Sequence, residues 1–431
     1  MIDETHTMPD VATEHFGLNV SSYGVDRMLK VLFNPRRKTG LLKKLGEDRD
    51  RQRVLDALDA SEQFFGFVAD RLLLKQPVTR VREPGFAEAT VLDPLRRVAD
   101  SIDRLASLLD EGSSKDDLQD QKTRVAGCHD RVRSFLSMAE EDHVHWVERT
   151  GRRGQIVTLR TAPIDVAPYL KEAVFARGVS VVCTSATLAV AGQIETFQRR
   201  AGAGQTRARI VASPFDFENN MRVYVVSDMP LPSAKDARLA LDELIDWIGF
   251  CIGRVSGGSL VLFTSHGDLR RAADALADSI RGAGRELFVQ GRDFSRSEMA
   301  TRFRSAENAV LFGTDSFWTG VDIPGPALSQ VLITRLPFDV PTHPIAEARA
   351  EWVRSRGGNP FSEINLPDAL IKFRQGVGRL IRRHDDRGVI TILDSRILYK
   401  SYGRQFLESL PTNRIARIDR STRDSCFRGV D

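Results

Sequence analysis

Two arginines set three residues apart carry the most pointed chemistry in this sequence. They stand in Gln375-Gly376-Val377-Gly378-Arg379-Leu380-Ile381-Arg382, a stretch of the form QxxGRxxR, and the apolar spacing around it predicts a helix over 367–381. On a helix, residues three apart share a face, so the two guanidinium groups can converge on one anion. Nucleotide phosphate suits such a pair. In phosphoryl transfer the charge spreads over the transferring oxygens, and an arginine supplied from a neighbouring lobe is worth about 10³–10⁵ in rate, or about 4–7 kcal/mol. Taken alone, the octapeptide also reads as a basic solvated face.

Upstream of it lies Gly313-Thr314-Asp315-Ser316-Phe317-Trp318-Thr319-Gly320-Val321-Asp322-Ile323-Pro324-Gly325, directly after the apolar run 309–312. Its glycines permit close backbone approach, while Thr314, Ser316 and Asp322 place short polar groups at the carboxyl end of a strand. A loop of this kind can sense both nucleotide and nucleic acid. Phe317 and Trp318 read first as aromatics buried between strand and helix, and second as a stacking platform for bases.

The elements that must position these residues are legible as texture. From about residue 155, short apolar runs at 179–183, 259–263, 309–312, 330–334 and 389–393 read as buried parallel strands. Amphipathic stretches at 237–252, 268–280 and 367–381 separate them. That alternation predicts a doubly wound parallel sheet of the α/β class, with ligands at the carboxyl ends of its strands. Residues 22–145 differ: apolar positions such as Leu92, Leu95, Val98, Ile102, Leu105 and Leu109 recur at helical spacing. This block reads as all-helical, with long helices over 49–74 and 91–109 broken by the Pro77 and Pro84 region.

Bulk properties exclude several classes. A chain of 431 residues is too long for one ordinary core and suggests about two or three domains. Hydrophobic residues make up 42% and charged residues 28%, and no uncharged apolar run is long enough to span a bilayer, so no membrane partner is expected. The opening Met1-Ile2-Asp3-Glu4-Thr5-His6 lacks the order of a secretory signal, which makes cytoplasmic residence the expectation. Cys128, Cys183, Cys251 and Cys426 stand too far apart for a disulfide framework or the close pairs of zinc and iron–sulfur sites. They read as reduced and structural. A net charge of +4 makes any nucleic-acid footprint local, as at Arg36-Arg37-Lys38, Lys43-Lys44 or Arg379, Arg382 and Arg383.

The ordered set of motifs resembles the XPD/DinG family of superfamily-two helicases. The GTDSFW loop with its Gly-Val-Asp continuation is similar to the family's motif V, and QGVGRLIRR to its motif VI. Cys183-Thr184-Ser185-Ala186-Thr187-Leu188 resembles motif III, Ser213-Pro214-Phe215 the entry to the second lobe, and Leu262-Phe263-Thr264-Ser265 motif IV. Asp3-Glu4-Thr5-His6 resembles the DEAH box, with Thr in place of Ala, and Val11-Ala12-Thr13-Glu14-His15-Phe16-Gly17 resembles the sequence trailing it.

The resemblance implies ATP and Mg²⁺ as cofactors and single-stranded DNA as partner. Asp3 would help hold Mg²⁺, Glu4 would orient or deprotonate the attacking water, and Arg379 and Arg382 would meet phosphate. His6, Thr184, Ser185, Thr187, Gly320, Asp322, Gln375 and Gly378 would bind nucleotide or couple it to motion. Thr264, Ser265, Thr314, Asp315 and Ser316 would face nucleic acid.

The fold it implies is a complete second RecA-like helicase lobe over 216–411, an arch-like helical insertion over 22–155 and an incomplete first RecA-like lobe. The first lobe would comprise a remnant at 1–21 and a return with motif III and linker at 156–215, and 412–431 would be a loose tail. No GxxxxGK loop followed by Ser or Thr, the cradle that holds phosphates in such motors, occurs in the 431 residues. The amino-terminal helicase portion is therefore expected to be missing or separately encoded. The family's iron–sulfur cysteines would lie there too, so no cluster is expected in this chain. Two readings stay open: an ATP-dependent DNA helicase represented by a fragment, and a non-catalytic nucleic-acid-binding or regulatory remnant.

Overall fold

The computed structural model describes residues 1–431 except 152–153, 190–191, 233–235, 293, 319–326, 340–342 and 429–431. Strands are numbered here in chain order. The largest element is a seven-stranded sheet of β5 (Met221–Val226), β6 (Ser259–Leu262), β7 (Leu287–Val289), β8 (Val310–Gly313), β9 (Gln330–Ile333), β10 (Gly388–Ile392) and β11 (Ile415–Ile418), in the order β11-β5-β10-β9-β6-β8-β7. Every pairing is parallel.

Alternation along the strands feeds two cores. Leu260, Leu262, Val331, Ile333, Ile390 and Ile392 pack on one face, under the helices Arg296–Ser305 and Leu366–Val377. Val261, Phe263, Leu332, Val389 and Leu393 pack on the other, under Ala237–Ile252 and His266–Gly282. A strand buried on both faces must be apolar at successive positions, which is why these segments read as continuous runs rather than alternating ones.

Two expectations need correction at the borders of this sheet. The tail expected over 412–431 is not loose over its described residues, 412–428: β11 pairs with β5, and Phe427, 4% exposed, packs on Tyr224 at a centroid distance of 4.8 Å. Residues 179–183 do not form a buried strand. They make a single parallel bridge, Ile2 to Cys183, and Val179 and Val182 are exposed. An apolar run becomes a strand only where a ladder and a covering layer exist, and among the described residues this one has neither beyond Ile2.

The block at 22–155 is not all-helical. Long helices are present at Ser22–Leu32, Asp48–Leu72, Leu92–Ser107 and Ser113–Ser137. They share a core with a four-stranded antiparallel sheet, β1 (Asn19–Ser21), β2 (Val78–Val81), β3 (His143–Thr150) and β4 (Ile156–Pro163), ordered β1-β4-β3-β2. That sheet docks on the helix Pro344–Ser355 of the seven-stranded unit. Arg80 of β2 and Arg82 just after it each pair with both Glu347 and Glu351, at 2.8–3.3 Å. Trp146, Val144 and Ala162 pack on Ala348 beside them. Half-exposed ion pairs contribute about 0–1 kcal/mol each, so the apolar contact holds the docking and the charges set its register.

No helix among the described residues is long and apolar enough to cross a membrane.

Candidate functional site

The acidic opening is anchored by backbone before its side chains do anything. The Ile2 N–H donates to Val182 O at 2.8 Å, Thr184 N–H to Ile2 O at 2.9 Å, and Thr5 N–H to Thr184 O at 3.1 Å. This two-residue ladder sets Asp3 and Glu4 beside Thr184 and Ser185. The Thr184 hydroxyl donates to Asp3 Oδ1 at 2.8 Å, and the Glu4 N–H donates to the same oxygen at 2.9 Å. Those two bonds, Thr184's first, hold the Asp3 carboxyl below the usual carboxylate range. Glu4 takes φ 50° and ψ 38°, left-handed backbone that costs a non-glycine residue on the order of 1 kcal/mol and concentrates at functional sites.

His6 joins this end to the second lobe. Its Nδ1 lies 2.8 Å from Ser185 Oγ, and the Ser185 hydroxyl donates to Glu4 Oε2 at 3.2 Å. The Ser185 oxygen is then the acceptor for an Nδ1–H, which leaves Nε2 as an acceptor. Gln375 fills that role, its side-chain amide 2.6 Å from His6 Nε2 and 3.5 Å from Thr187 Oγ1. One neutral tautomer satisfies the whole chain of groups. Burial is the main reason the imidazole sits below the usual histidine range, against the pull of Glu4.

Gln375 is placed by the helix Leu366–Val377, which packs so closely that a Cβ on Gly376 would meet Trp318 at 2.8 Å and Leu262 at 3.0 Å. That helix ends at Val377, four residues short of the predicted 381, with Gly378 as its cap. Arg379 and Arg382 therefore do not share a helical face. Arg379, 8% exposed, donates through Nε and a terminal nitrogen to Trp318 O at 3.1 and 2.9 Å, and its charge reaches His6. Arg382 is exposed, in the turn that Asp386 closes by accepting the N–H groups of Arg382 and Arg383 at 2.7 and 2.8 Å. The pair is split, one guanidinium facing inward and one facing solvent.

The remaining candidates gather at the carboxyl edge of the sheet. Thr264 and Ser265 follow β6, where the Ser265 hydroxyl accepts the N–H groups of Gly267 and Asp268 and caps the next helix. Thr314, Asp315 and Ser316 follow the neighbouring β8. The Thr314 N–H donates to Gln290 Oε1 at 2.7 Å, Gln290 Nε2 donates to Ser316 Oγ at 3.1 Å, and Lys372 Nζ reaches Asp315 at 2.5 Å. Gly320 and Asp322 lie outside the described residues. Phe317 and Trp318 are fully buried, and Trp318 Nε1 donates to Phe263 O at 3.0 Å, so they form core rather than a stacking platform.

Sequence reasoning found His6, Asp315 and Gln375 but missed the other charged residues that line the gap between the two units. A cleft of about 440 Å³ runs between His6 and Asp10 on one side and Asp339, Asp368 and Gln375 on the other. Arg200 pairs with Asp368 across it, Arg349 donates to Thr13 Oγ1 at 2.7 Å, and Arg374 donates to Ala189 O. In one dimension a lone charged residue on an amphipathic helix looks like a solvated face, and no motif marks these. Gln290, directly after the short strand β7, carried no signal either.

An all-parallel sheet covered on both faces, with polar loops at its carboxyl edge set against a second unit across a cleft, is the architecture of a RecA-like helicase motor lobe. Comparison with known proteins agrees. The family described as Helicase C-terminal domain matches residues 251–413. ATP-dependent DNA helicase YoaA of Escherichia coli (strain K12) is 33% identical over 427 residues, covering 97% of this chain and 64% of the relative. The protein named 3′-5′ exonuclease DinG of Bacillus subtilis (strain 168) is 29% identical over 470 residues, covering all of this chain and 50% of the relative. A solved XPD helicase superposes with a TM-score of 0.59 at 18% identity, over 97% of this chain and 68% of that one. Residues 251–413 thus match a helicase carboxy-terminal domain, and the chain as a whole is similar to the carboxy-terminal region of XPD/DinG-like helicases. It spans between half and two thirds of the length of the two relatives.

Proposed function

We propose that this chain is the nucleotide-sensing and DNA-gripping part of an ATP-dependent DNA helicase, in which hydrolysis drives movement on single-stranded DNA. The observation that carries the reading is His6, which touches Ser185 through one ring nitrogen and Gln375 through the other. Three segments far apart in sequence, each read as part of a motor, meet at one imidazole.

In this reading Glu4 orients the attacking water and Asp3 holds the metal. The fit to Mg²⁺ is good: that ion keeps most of its waters and takes only one or two carboxylates, and Asp3 is an exposed carboxylate with Oδ1 already oriented. Held by Asp3, Mg²⁺ would supply positive charge that offsets the charge on phosphate. Asp3 stays ionised for that task because Thr184 and the Glu4 amide favour its charged form. Arg382, exposed in its turn, approaches phosphate from the second lobe, while Arg379 fixes the turn on Trp318. Thr264, Ser265 and Thr314 to Ser316 offer short polar groups along the sheet edge for a nucleic-acid backbone.

The 431 residues contain no GxxxxGK phosphate cradle, so the polypeptide by itself is expected to bind single-stranded DNA and to turn over no ATP. Phosphate release with Mg-ATP and oligo-dT measures this. DNA-stimulated, magnesium-dependent hydrolysis that disappears in Arg382→Ala would show that the cradle is dispensable and would refute the division of labour. Absence of DNA binding even at low salt would refute the grip.

A further inference from the structure

Away from the interlobe cleft, a second concavity of about 380 Å³ opens in the insertion, where β1 turns into the helix Ser22–Leu32 and the helix Ser113–Ser137 passes alongside. Its walls carry Asn19, Ser21, Arg27, Gln121, Arg124 and Arg131, and no described residue lining it is acidic. Gln121, Arg124, Cys128 and Arg131 follow one another at three- and four-residue steps, which puts all four on one face of their helix.

The three arginines differ from the others nearby. Arg51 is paired with Asp48, Arg104 with Asp50, and Arg53 is bonded to Ser101. Arg27, Arg124 and Arg131 are exposed and make no ion pair among the described residues. Carboxylates close in sequence are already engaged: Asp26 holds Lys30 at 2.6 Å, and Asp130 holds Arg133 at 3.1 Å. The pocket therefore keeps three uncompensated positive charges.

Its inner end supplies a second, independent sign. Gln121 is only 8% exposed, lines the cavity, and its amide has no hydrogen-bond partner among the described residues. The rest of the side chain is buried and the amide opens onto the cavity, so its donors are available to whatever fills that space. Beside it Cys128, whose thiol burial pushes up to about 11, is a neutral floor. At the rim the Ser21 hydroxyl accepts the Gly24 N–H and caps the helix Ser22–Leu32, whose amino end favours an anion.

We propose that this pocket binds a phosphate group, with Arg27, Arg124 and Arg131 neutralising its charge and Gln121 donating to it from below. Guanidinium forks match phosphate oxygens in pairs, and a buried amide adds a directional donor that bulk counterions do not need. The phosphate is either a phosphodiester of single-stranded DNA tracked over the insertion or a free phosphate anion.

Two measurements on the full chain separate these sources. In the first, affinity for labelled oligo-dT is followed by anisotropy across a salt series. Each phosphate contact to a single strand contributes about −0.7 to the slope of log K against log salt. The triple variant Arg27→Ala, Arg124→Ala, Arg131→Ala is expected to flatten that slope by about 2 and to weaken binding at least tenfold at low salt. In the second, inorganic phosphate is titrated against the thermal midpoint; it should raise the midpoint of the wild-type chain and not that of the triple variant or of Gln121→Leu. A flattened slope identifies the phosphodiester, and a lost phosphate effect with an unchanged slope identifies the free anion. Wild-type behaviour of both variants in both measurements overturns the proposal. Arg124→Glu, a single exposed change, guards against a folding artefact. The phosphate titration holds whether or not the chain grips DNA, so failure of the helicase reading and failure of the pocket are told apart.

Discussion

Arg285→Met is expected to destabilise the parallel-sheet unit by about 4 kcal/mol and to lower its thermal midpoint by about 10 °C. Arg285 is 8% exposed and has no carboxylate partner among the described residues. Its guanidinium is spent on backbone: Nε donates to Asn308 O at 2.7 Å, and the terminal nitrogens donate to the carbonyls of Ile252, Val255 at 3.1 Å and Gly257 at 2.6 Å, and to Ser259 Oγ at 3.1 Å. One side chain thus ties the end of the helix Ala237–Ile252, the turn into β6 and the approach to β8. Burial pulls its proton affinity down, yet a guanidinium remains charged at any physiological pH. Methionine keeps much of the apolar stem and leaves four carbonyls without their donor. Calorimetry or circular dichroism reads the midpoint, and a drop of less than about 3 °C, under 1–2 kcal/mol for a unit of this size, would mean that water replaces the guanidinium without loss.

Acidification between pH 6.5 and about 4 is expected to remove about 3 kcal/mol of stability through His145 alone. His145 sits on β3 with 2% exposure, and neither ring nitrogen has a hydrogen-bond partner among the described residues. Burial first, then the neighbouring His143, lowers it from 6.5 to about 4. The sign follows from which state binds the proton. The unfolded chain protonates His145 as pH falls through 6.5, whereas the folded chain resists until about 4. The contribution is whole above 6.5, shrinks across that window and is gone below it. His145→Phe carries no proton and keeps a ring beside Phe135, whose centroid lies 5.5 Å away. Denaturant unfolding of both chains from pH 7 to pH 4 should show the wild type losing the extra stability and the variant not. Parallel curves would place the imidazole in contact with solvent.

These two residues also mark the limits of what was legible in the sequence. The parallel strands β6, β8, β9 and β10 could be read because burial on both faces demands unbroken apolar runs, and Ala237–Ile252 could be read because its stripe is uninterrupted. The antiparallel sheet of the insertion was hidden for the opposite reason. Its β3 reads His-Val-His-Trp-Val-Glu-Arg-Thr, and a buried histidine inside it imitates the polar face of a helix. β11 was hidden by arginines that flank and interrupt four short residues. At the site, Asp3, Glu4, His6, Ser185 and Gln375 were each marked by a local motif, and they meet through the bridge from Ile2 to Cys183 and the placement of the helix Leu366–Val377. The shared face for Arg379 and Arg382 was not there, since the glycine at 378 ends the helix before either arginine. Contacts across the cleft, such as Arg200 with Asp368, depend on how two units meet, which no local pattern encodes.

The claim on which the account rests is that one neutral imidazole joins the acidic opening segment to the second lobe. Nitrogen-15 spectroscopy of histidine-labelled chain tests it most directly. His6 is expected to carry its proton on Nδ1 and to titrate below the ordinary value of 6.5, with the titration moving up toward 6.5 in Gln375→Ala as water enters. A His6 protonated on Nε2, titrating like a free imidazole and indifferent to the loss of Gln375, would contradict it.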